Sequence, residues 1–119
     1  LDNIRYGNDA SRQEVESMLD TYDLRAVFSD IQGGIDAEAG VRGANLSLGM
    51  AKTVIVLRGL LRKGVKVYLF DEPVAGLDAQ TRRKIMNMIT AECKGKTVIC
   101  VTHLEAIKSF VDRVIQINP

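Results

Sequence analysis

The chain has 119 residues, of which 46% are hydrophobic, enough for one packed core but too few for two ordinary domains. Its 16 basic and 15 acidic residues nearly cancel and only 5% are aromatic, which argues against a nucleic-acid-binding surface of interleaved basic and stacking side chains. No apolar run reaches the roughly 18 to 20 residues needed to cross a bilayer. Cys93 and Cys100 are the two cysteines and lack the spacing of a metal motif, so a reducing compartment is the simplest account of them.

The first third of the chain has the spacing of short amphipathic helices. After a polar lead-in over residues 1–10, Ser11 and Glu14 have the spacing of a capping box, and apolar residues follow at helical intervals. A second short helix is predicted over residues 24–31, and Gly33 and Gly34 should end it. We expect both apolar stripes to pack into the core.

A buried helix is predicted after a glycine-containing loop over residues 35–45. Residues 54–61 are apolar nearly all round, which is typical of a helix that is buried on every side. Ser47 is well placed to cap the start of this helix, where free backbone N–H groups and the positive end of the helix dipole favour an anion. This helix start is therefore a candidate phosphate site.

Residues 49–53, Gly-Met-Ala-Lys-Thr, bear a superficial likeness to a phosphate-binding loop. In that loop the lysine follows a glycine and a strand precedes the whole turn, and neither condition is met at Lys52. We therefore reject this interpretation, and no other stretch of the sequence fits such a loop.

The apolar run from Val67 to Phe70 predicts a strand buried on both faces, as in the centre of a parallel sheet. Asp71 and Glu72 follow directly, at the carboxyl end of the strand, where ligands bind in open α/β folds. Two adjacent carboxylates there are candidates for metal and proton chemistry, because a bound Mg²⁺ would offset the cost of desolvating them. The alternative is that Asp71 caps a turn and Glu72 faces water.

A further helix should begin after Asp78, which can serve as its cap. The apolar positions of this helix are Ile85, Met88 and Ile89, and the basic residues Arg82, Arg83 and Lys84 are predicted to face solvent.

Two more strands are predicted, over residues 97–101 and 113–117, with a short helix over 104–110 between them. Strands that alternate with helices indicate an α/β fold with a parallel sheet and right-handed crossovers. His103, the sole histidine, follows the second strand and could contact a phosphate or relay a proton beside the two carboxylates, although a purely structural role is the alternative.

Several of these segments resemble the ATP-binding cassette (ABC) ATPases. VYLFDEPVAGLD is similar to their Walker B strand, catalytic glutamate and D-loop, VICVTH to their switch-histidine strand, and NLSLGM to their LSGGQ signature. The order and spacing of these motifs also agree. The stretches DNIRYG, VRGAN and DRVIQI resemble the cassettes of ABC exporters in particular, so that the resemblance covers essentially the whole chain.

The resemblance implies a P-loop NTPase (RecA-like) parallel-sheet core, incomplete here, with an α-helical subdomain on its N-terminal side. Residues 1–62 would form the helical subdomain with the signature and its helix. Residues 63–119 would form the C-terminal half of the ATPase core. The function implied is that of a nucleotide-binding domain of an exporter-like ABC transporter, which binds and hydrolyses ATP at a head-to-tail dimer of cassettes to drive transport.

The resemblance also assigns roles to single residues. Asp71 would hold Mg²⁺ through water, Glu72 would act as the general base on the attacking water, and His103 would contact the γ-phosphate of ATP. Residues of the signature would reach a nucleotide bound to the opposite cassette, and residues of the D-loop would touch that cassette. These are Ser47, Leu48, Gly49 and Met50 in the signature and Gly76, Leu77 and Asp78 in the D-loop.

The implied partners are a second cassette, in a homo- or heterodimer, and a transmembrane domain of the same or another chain, with no nucleic acid. The protein would be membrane-associated, with its cassette facing the cytosol or an organelle matrix. Two alternatives stay open. The chain could belong to a soluble ABC ATPase, or it could be a half-cassette that only docks on a complete partner without catalysis.

The sequence also departs from the family pattern. It contains no phosphate-binding loop, adenine-stacking aromatic or Q-loop glutamine, so we expect that the chain does not hydrolyse ATP by itself. Leu48 and Met50 replace a glycine and a glutamine of the signature, and Thr53 stands where a basic residue is common. The altered signature either weakens the composite site or is tolerated, and the sequence leaves both possibilities open.

Overall fold

The computed structural model describes residues 1–118 as an α/β structure in which helices precede and connect two parallel strands. In chain order its regular elements are α1 (Asp2–Arg5), α2 (Arg12–Thr21), α3 (Leu48–Leu60), β1 (Val67–Asp71), α4 (Ala79–Glu92) and β2 (Thr97–Val101). Short 3₁₀ helices span Arg25–Phe28, Gly34–Asp36, Val41–Gly43 and Glu105–Phe110. The predicted fold class is confirmed, and none of the helices in residues 1–118 is both long and apolar enough to cross a membrane.

The N-terminal helices agree with the prediction only in part. The capping box of α2 is present, since Ser11 Oγ accepts a hydrogen bond from the Glu14 amide and Glu14 accepts one from the Ser11 amide. The helix predicted over residues 24–31 is a single 3₁₀ turn instead. It ends early because the Ser29 hydroxyl donates to the Ala26 carbonyl, at 2.8 Å, in competition with helix formation. The one-turn helix α1 was not predicted.

Helix α3 begins where the sequence places it. Ser47 caps it, with Oγ accepting from the Met50 amide at 3.2 Å, and residues 49–53 are helical, so their rejection as a phosphate-binding loop is confirmed. The prediction that this helix is buried on every side is wrong, because Ile55 is exposed. Thr53 is fully buried and donates its hydroxyl hydrogen to the Gly49 carbonyl, at 2.8 Å, so no charge is buried there.

Strands β1 and β2 pair in parallel, with Val67 opposite Thr97 and Asp71 opposite Val101. Tyr68 lies in the core with residues of α3 and α4, whereas Leu69 and Ile99 on the opposite face are 72% and 52% exposed. The prediction that β1 is buried on both faces is therefore wrong. Helices cover one face of this sheet, and within residues 1–118 nothing covers the other.

The third strand, predicted over residues 113–117, is also not formed. This segment has no strand partner within the described part of the chain, and Ile115 and Ile117 are largely exposed. A strand requires ladder hydrogen bonds to a neighbour, and an apolar sequence alone does not supply them. The short helix predicted over 104–110 is present as the 3₁₀ helix Glu105–Phe110.

Helix α4 joins the strands to the N-terminal helices. Asp78 caps it as predicted, accepting from the Thr81 amide at 2.9 Å, and its buried residues are Ile85, Met86, Met88 and Ile89. Lys84 was predicted to face solvent, but it is largely buried and its ammonium lies 2.6 Å from the Asp23 carboxylate. This correction arises because α4 packs beside the turn that follows α2, where Tyr22 also donates to Glu92.

Candidate functional site

The backbone of Glu72 leaves the end of β1 in an unusual conformation. Its φ angle is +47°, in the left-handed region that non-glycine residues rarely adopt. Its amide donates to the Val101 carbonyl at 2.8 Å and extends the parallel ladder by one residue, and its carbonyl accepts from Nζ of Lys52 at 2.5 Å. Groups from β2 and α3 thus hold this residue at the carboxyl edge of the sheet.

The Glu72 side chain is held by the segment that follows β2. Oε1 lies 2.6 Å from Nδ1 of His103, and Oε2 accepts a hydrogen bond from the Thr102 hydroxyl at 3.1 Å. The same hydroxyl accepts from the Leu104 amide, which fixes its orientation. The glutamate side chain is 24% exposed and the histidine side chain 85%, so the pair is open to a ligand from solvent and can exchange a proton with it.

Asp71 lies next to this pair, at the last position of β1, and is exposed. Burial raises the pKa of the neighbouring Cys100 thiol, and the negative charges of Glu72 and Asp71 raise it further. Both carboxylates therefore act on one small region at the edge of the sheet, in agreement with their predicted placement.

The carboxylates at this edge of the sheet suit a cation whose remaining ligands come from outside this chain. Within residues 1–118 no group of three histidine, cysteine, aspartate or glutamate side chains could hold a metal ion by itself. Mg²⁺ is commonly bound through one or two carboxylates together with water and substrate phosphates. The exposed Asp71 carboxylate fits that kind of binding.

The predicted signature residues lie at the start of α3. Ser47 and Leu48 are exposed, whereas the side chain of Met50 is buried in the core, so that only its backbone could contact a ligand at this surface. The Met50 amide already donates to Ser47 Oγ. Gly49 has room for a small side chain, with its closest potential neighbours in ordinary van der Waals contact.

The segments predicted to be the signature and the D-loop meet within this chain. A Cβ atom added at Gly76 would lie only 2.8 Å from Cδ2 of Leu48, and Gly76 has a φ angle of +78°. Leu77 follows on the same turn, and the Asp78 carboxylate is engaged as the cap of α4. The amide of Thr81, which donates to this carboxylate, lowers the pKa of Asp78.

Sequence reasoning missed two residues that hold Glu72, namely Lys52 and Thr102. A signal for Lys52 was available, because it is the one charged residue between Leu48 and Leu57, a stretch of otherwise apolar and small side chains. Thr102 carried no comparable signal, since a threonine at the end of a strand is ordinary.

The chain is similar to ATP-binding proteins of transport systems, although no protein-family model matches it. It is 32% identical over 116 residues to an export ATP-binding/permease protein of Rickettsia bellii. It is 36% identical over 95 residues to the glutathione/L-cysteine transport system ATP-binding/permease protein CydD of Escherichia coli, and 34% identical over 102 residues to ATP-binding cassette sub-family B member 6 of Xenopus tropicalis.

These alignments cover 98%, 80% and 85% of this chain, respectively. They cover only 20%, 16% and 12% of the relatives. The chain therefore spans about one fifth or less of the length of the curated relatives it matches.

Proposed function

We propose that this ABC exporter-like chain forms part of the nucleotide-binding domain of an ABC exporter that hydrolyses ATP to drive transport. The observation that carries the proposal is the Glu72–His103 pair at the carboxyl end of β1, beside Asp71. Residues 1–62 are the helical subdomain of this domain, and residues 63–119 are the C-terminal half of its ATPase core.

Glu72 is the general base in this proposal. Its carboxylate is the acceptor that would take a proton from the attacking water, and its hydrogen bonds with Thr102 and His103 fix its direction. His103, with its exposed ring, would contact the γ-phosphate while Nδ1 remains on Glu72. The two residues would thus orient water and phosphate relative to each other.

Asp71 would hold Mg²⁺ through water, and the bound ion would neutralise the charge of the phosphates of ATP. The carboxylate is exposed at the edge where Glu72 and His103 also lie, which supports this assignment. The phosphate cradle itself would have to come from residues outside this sequence, so we infer that the 119-residue chain does not hydrolyse ATP by itself.

The exposed start of α3 would face a second cassette. Ser47, Leu48 and Gly49 would reach the phosphates of the nucleotide held by that cassette, together with the backbone of Met50, because a helix start favours anions. Gly76, Leu77 and Asp78 would touch the same partner, and the contact of Leu48 with Gly76 supports a continuous surface made of both segments. A transmembrane domain, of the same or another chain, would place the protein at a membrane.

The experiment that tests this function replaces the proposed base in a transporter that carries this sequence together with a phosphate-binding loop. We expect Glu72→Gln to lower the rate of ATP hydrolysis at least about 100-fold, because a positioned general base contributes on that order. ATP binding should persist, and the cassettes should be trapped as an ATP-bound dimer.

The matched control is Glu105→Gln, which neutralises an exposed glutamate on the neighbouring 3₁₀ helix and should leave hydrolysis unchanged. Hydrolysis at the normal rate in Glu72→Gln would overturn the proposal. It would instead support the alternative, a half-cassette that docks on a complete partner without catalysis.

A further inference from the structure

Lys52 lies in the second turn of α3, the helix that begins at the Ser47 cap. It is half-buried, and its ammonium group donates to the backbone carbonyl of Glu72, 20 residues further along the chain. A half-buried ammonium requires an acceptor, and the carbonyl of Glu72 provides one. This contact joins the helix of the signature to the residue proposed as the general base.

The Glu72 carbonyl has few other donors because of the backbone conformation at this residue. The left-handed φ angle of +47° turns the chain away from the ladder of β1 and β2. The amide of Ala75 is the other donor to this carbonyl, and it lies at 3.5 Å, compared with 2.5 Å for Nζ of Lys52. A hydrogen bond from a charged donor is roughly twice as strong as a neutral one. Lys52 is therefore the main group that holds the carbonyl.

A left-handed conformation costs free energy at a residue that is not glycine, so it persists only where its surroundings enforce it. The Val101 carbonyl accepts a hydrogen bond from the amide of Glu72, and Lys52 donates one to the carbonyl of Glu72. Together these two contacts fix the φ and ψ angles of Glu72, which determine where its side chain points. Loss of either contact would let the peptide rotate, and the carboxylate would move relative to His103.

We propose that Lys52 is a positioning residue, which fixes the backbone of Glu72 so that its carboxylate is aimed for catalysis. This inference rests on the proposed function of Glu72. Lys52 touches neither nucleotide nor water in this scheme and acts only through the Glu72 backbone. Ser47 caps the same helix that contains Lys52. A displacement of the start of α3 when it contacts a nucleotide would therefore be transmitted to Glu72 through the hydrogen bond from Lys52 to the Glu72 carbonyl.

The first test measures the backbone directly, in the 119-residue chain, by amide hydrogen exchange followed by NMR. We expect Lys52→Met, which keeps an unbranched side chain of nearly the same length without the ammonium group, to speed exchange of the Glu72 amide at least about fivefold. Lys52→Arg should restore slow exchange. Lys94→Met, which removes an exposed lysine of the turn after α4, should change nothing at Glu72.

The second test measures catalysis in the transporter that carries this sequence together with a phosphate-binding loop. Lys52→Met should lower kcat about tenfold and leave KM for ATP within about twofold, since a misplaced base slows chemistry without weakening binding. Lys52→Arg should recover most of the loss. A general loss of folding would also lower the apparent kcat without changing KM, so the folded fraction of each variant is measured by circular dichroism and kcat is expressed per folded molecule.

The inference is overturned if Lys52→Met leaves both the exchange of the Glu72 amide and kcat unchanged. If that variant does not fold, Lys52→Gln takes its place, and wild-type exchange and kcat in Lys52→Gln overturn the inference equally. Failure of the proposed function is a separate result. It would appear as normal hydrolysis in Glu72→Gln, whatever the exchange data report about Lys52.

Discussion

At the scale of single residues, Leu48 is accommodated by the absence of a side chain at Gly76. The leucine is about half exposed, so its terminal methyl groups can move, but its Cδ2 occupies the space into which a Cβ at residue 76 would project. Leu48 and Gly76 are therefore coupled, although 28 positions separate them in the sequence.

Gly76→Ala should destabilise the chain for two separable reasons. The φ angle of +78° costs a residue with a Cβ about 1–2 kcal/mol, and displacement of the Leu48 side chain from its rotamer adds about 0.5–1.5 kcal/mol. The free energy of unfolding, measured with urea, would report the sum.

Two variants separate these contributions. Gly64→Ala provides a matched control, because Gly64 has a φ angle of +77° but no atom within 4 Å of an added Cβ, so only the conformational cost applies there. In the Leu48→Ala variant, Gly76→Ala should lower the free energy of unfolding by no more than Gly64→Ala does. An identical cost of Gly76→Ala with and without Leu48 would show that the two residues are not coupled.

At the scale of elements, the helix starts could be predicted because their signals are local. Ser11, Ser47 and Asp78 each accept a hydrogen bond from an amide three residues later, and that spacing can be read directly from the sequence. The pairing of His103 with Glu72 was anticipated for a different reason, since both residues follow predicted strands whose carboxyl ends meet at one edge of a parallel sheet.

The elements that were predicted wrongly depend on contacts between distant parts of the chain. The apolar residues of 113–117 favour a strand, but no neighbouring strand pairs with them within residues 1–118. Burial of both faces of β1 requires cover on both sides, and the helices supply it on one side only. Lys52 was treated as part of a rejected loop, because its acceptor is a backbone carbonyl that no sequence pattern identifies.

The cap of α4 should make stability depend on pH. The Thr81 amide lowers the pKa of Asp78 below its usual 3.8. A carboxylate whose pKa is lower in the folded than in the unfolded state contributes stability above the unfolded value, and that contribution disappears as the pH falls through the folded value. Asp78→Asn keeps an acceptor for the amide but cannot titrate.

We therefore expect the difference in Tm between wild type and Asp78→Asn to shrink as the pH is lowered from about 6 to about 2. Thermal unfolding followed by circular dichroism would measure it. Asp112→Asn serves as the control, because this exposed aspartate caps no helix, and it should show no such trend. A Tm difference that stays constant over this pH range would show that the charge of Asp78 does not contribute to the stability of the α4 cap.

At the scale of the whole molecule, the sheet exposes one apolar face to solvent. Val67, Leu69, Ile99 and Val101 form this open face, and each is more than half exposed. Within residues 1–118 the sheet has two strands, so each strand also has an edge whose backbone groups are free to pair. Contiguous apolar surface of this kind, next to unpaired strand edges, favours association with other chains.

We expect the 119-residue chain to self-associate through the open face. Its mass by sedimentation should rise above the monomer value of 13.1 kDa as the concentration increases. The double variant Leu69→Lys and Ile99→Lys places two like charges on that face, which should oppose contact between copies and return the mass toward that of the monomer. Ile55→Lys is the matched control, since Ile55 is an equally exposed isoleucine on α3, and it should associate like wild type. A monomer mass for the wild-type chain at all concentrations would rule out this association. Equal loss of association in Ile55→Lys would show that the contact is not specific to the sheet and also involves α3.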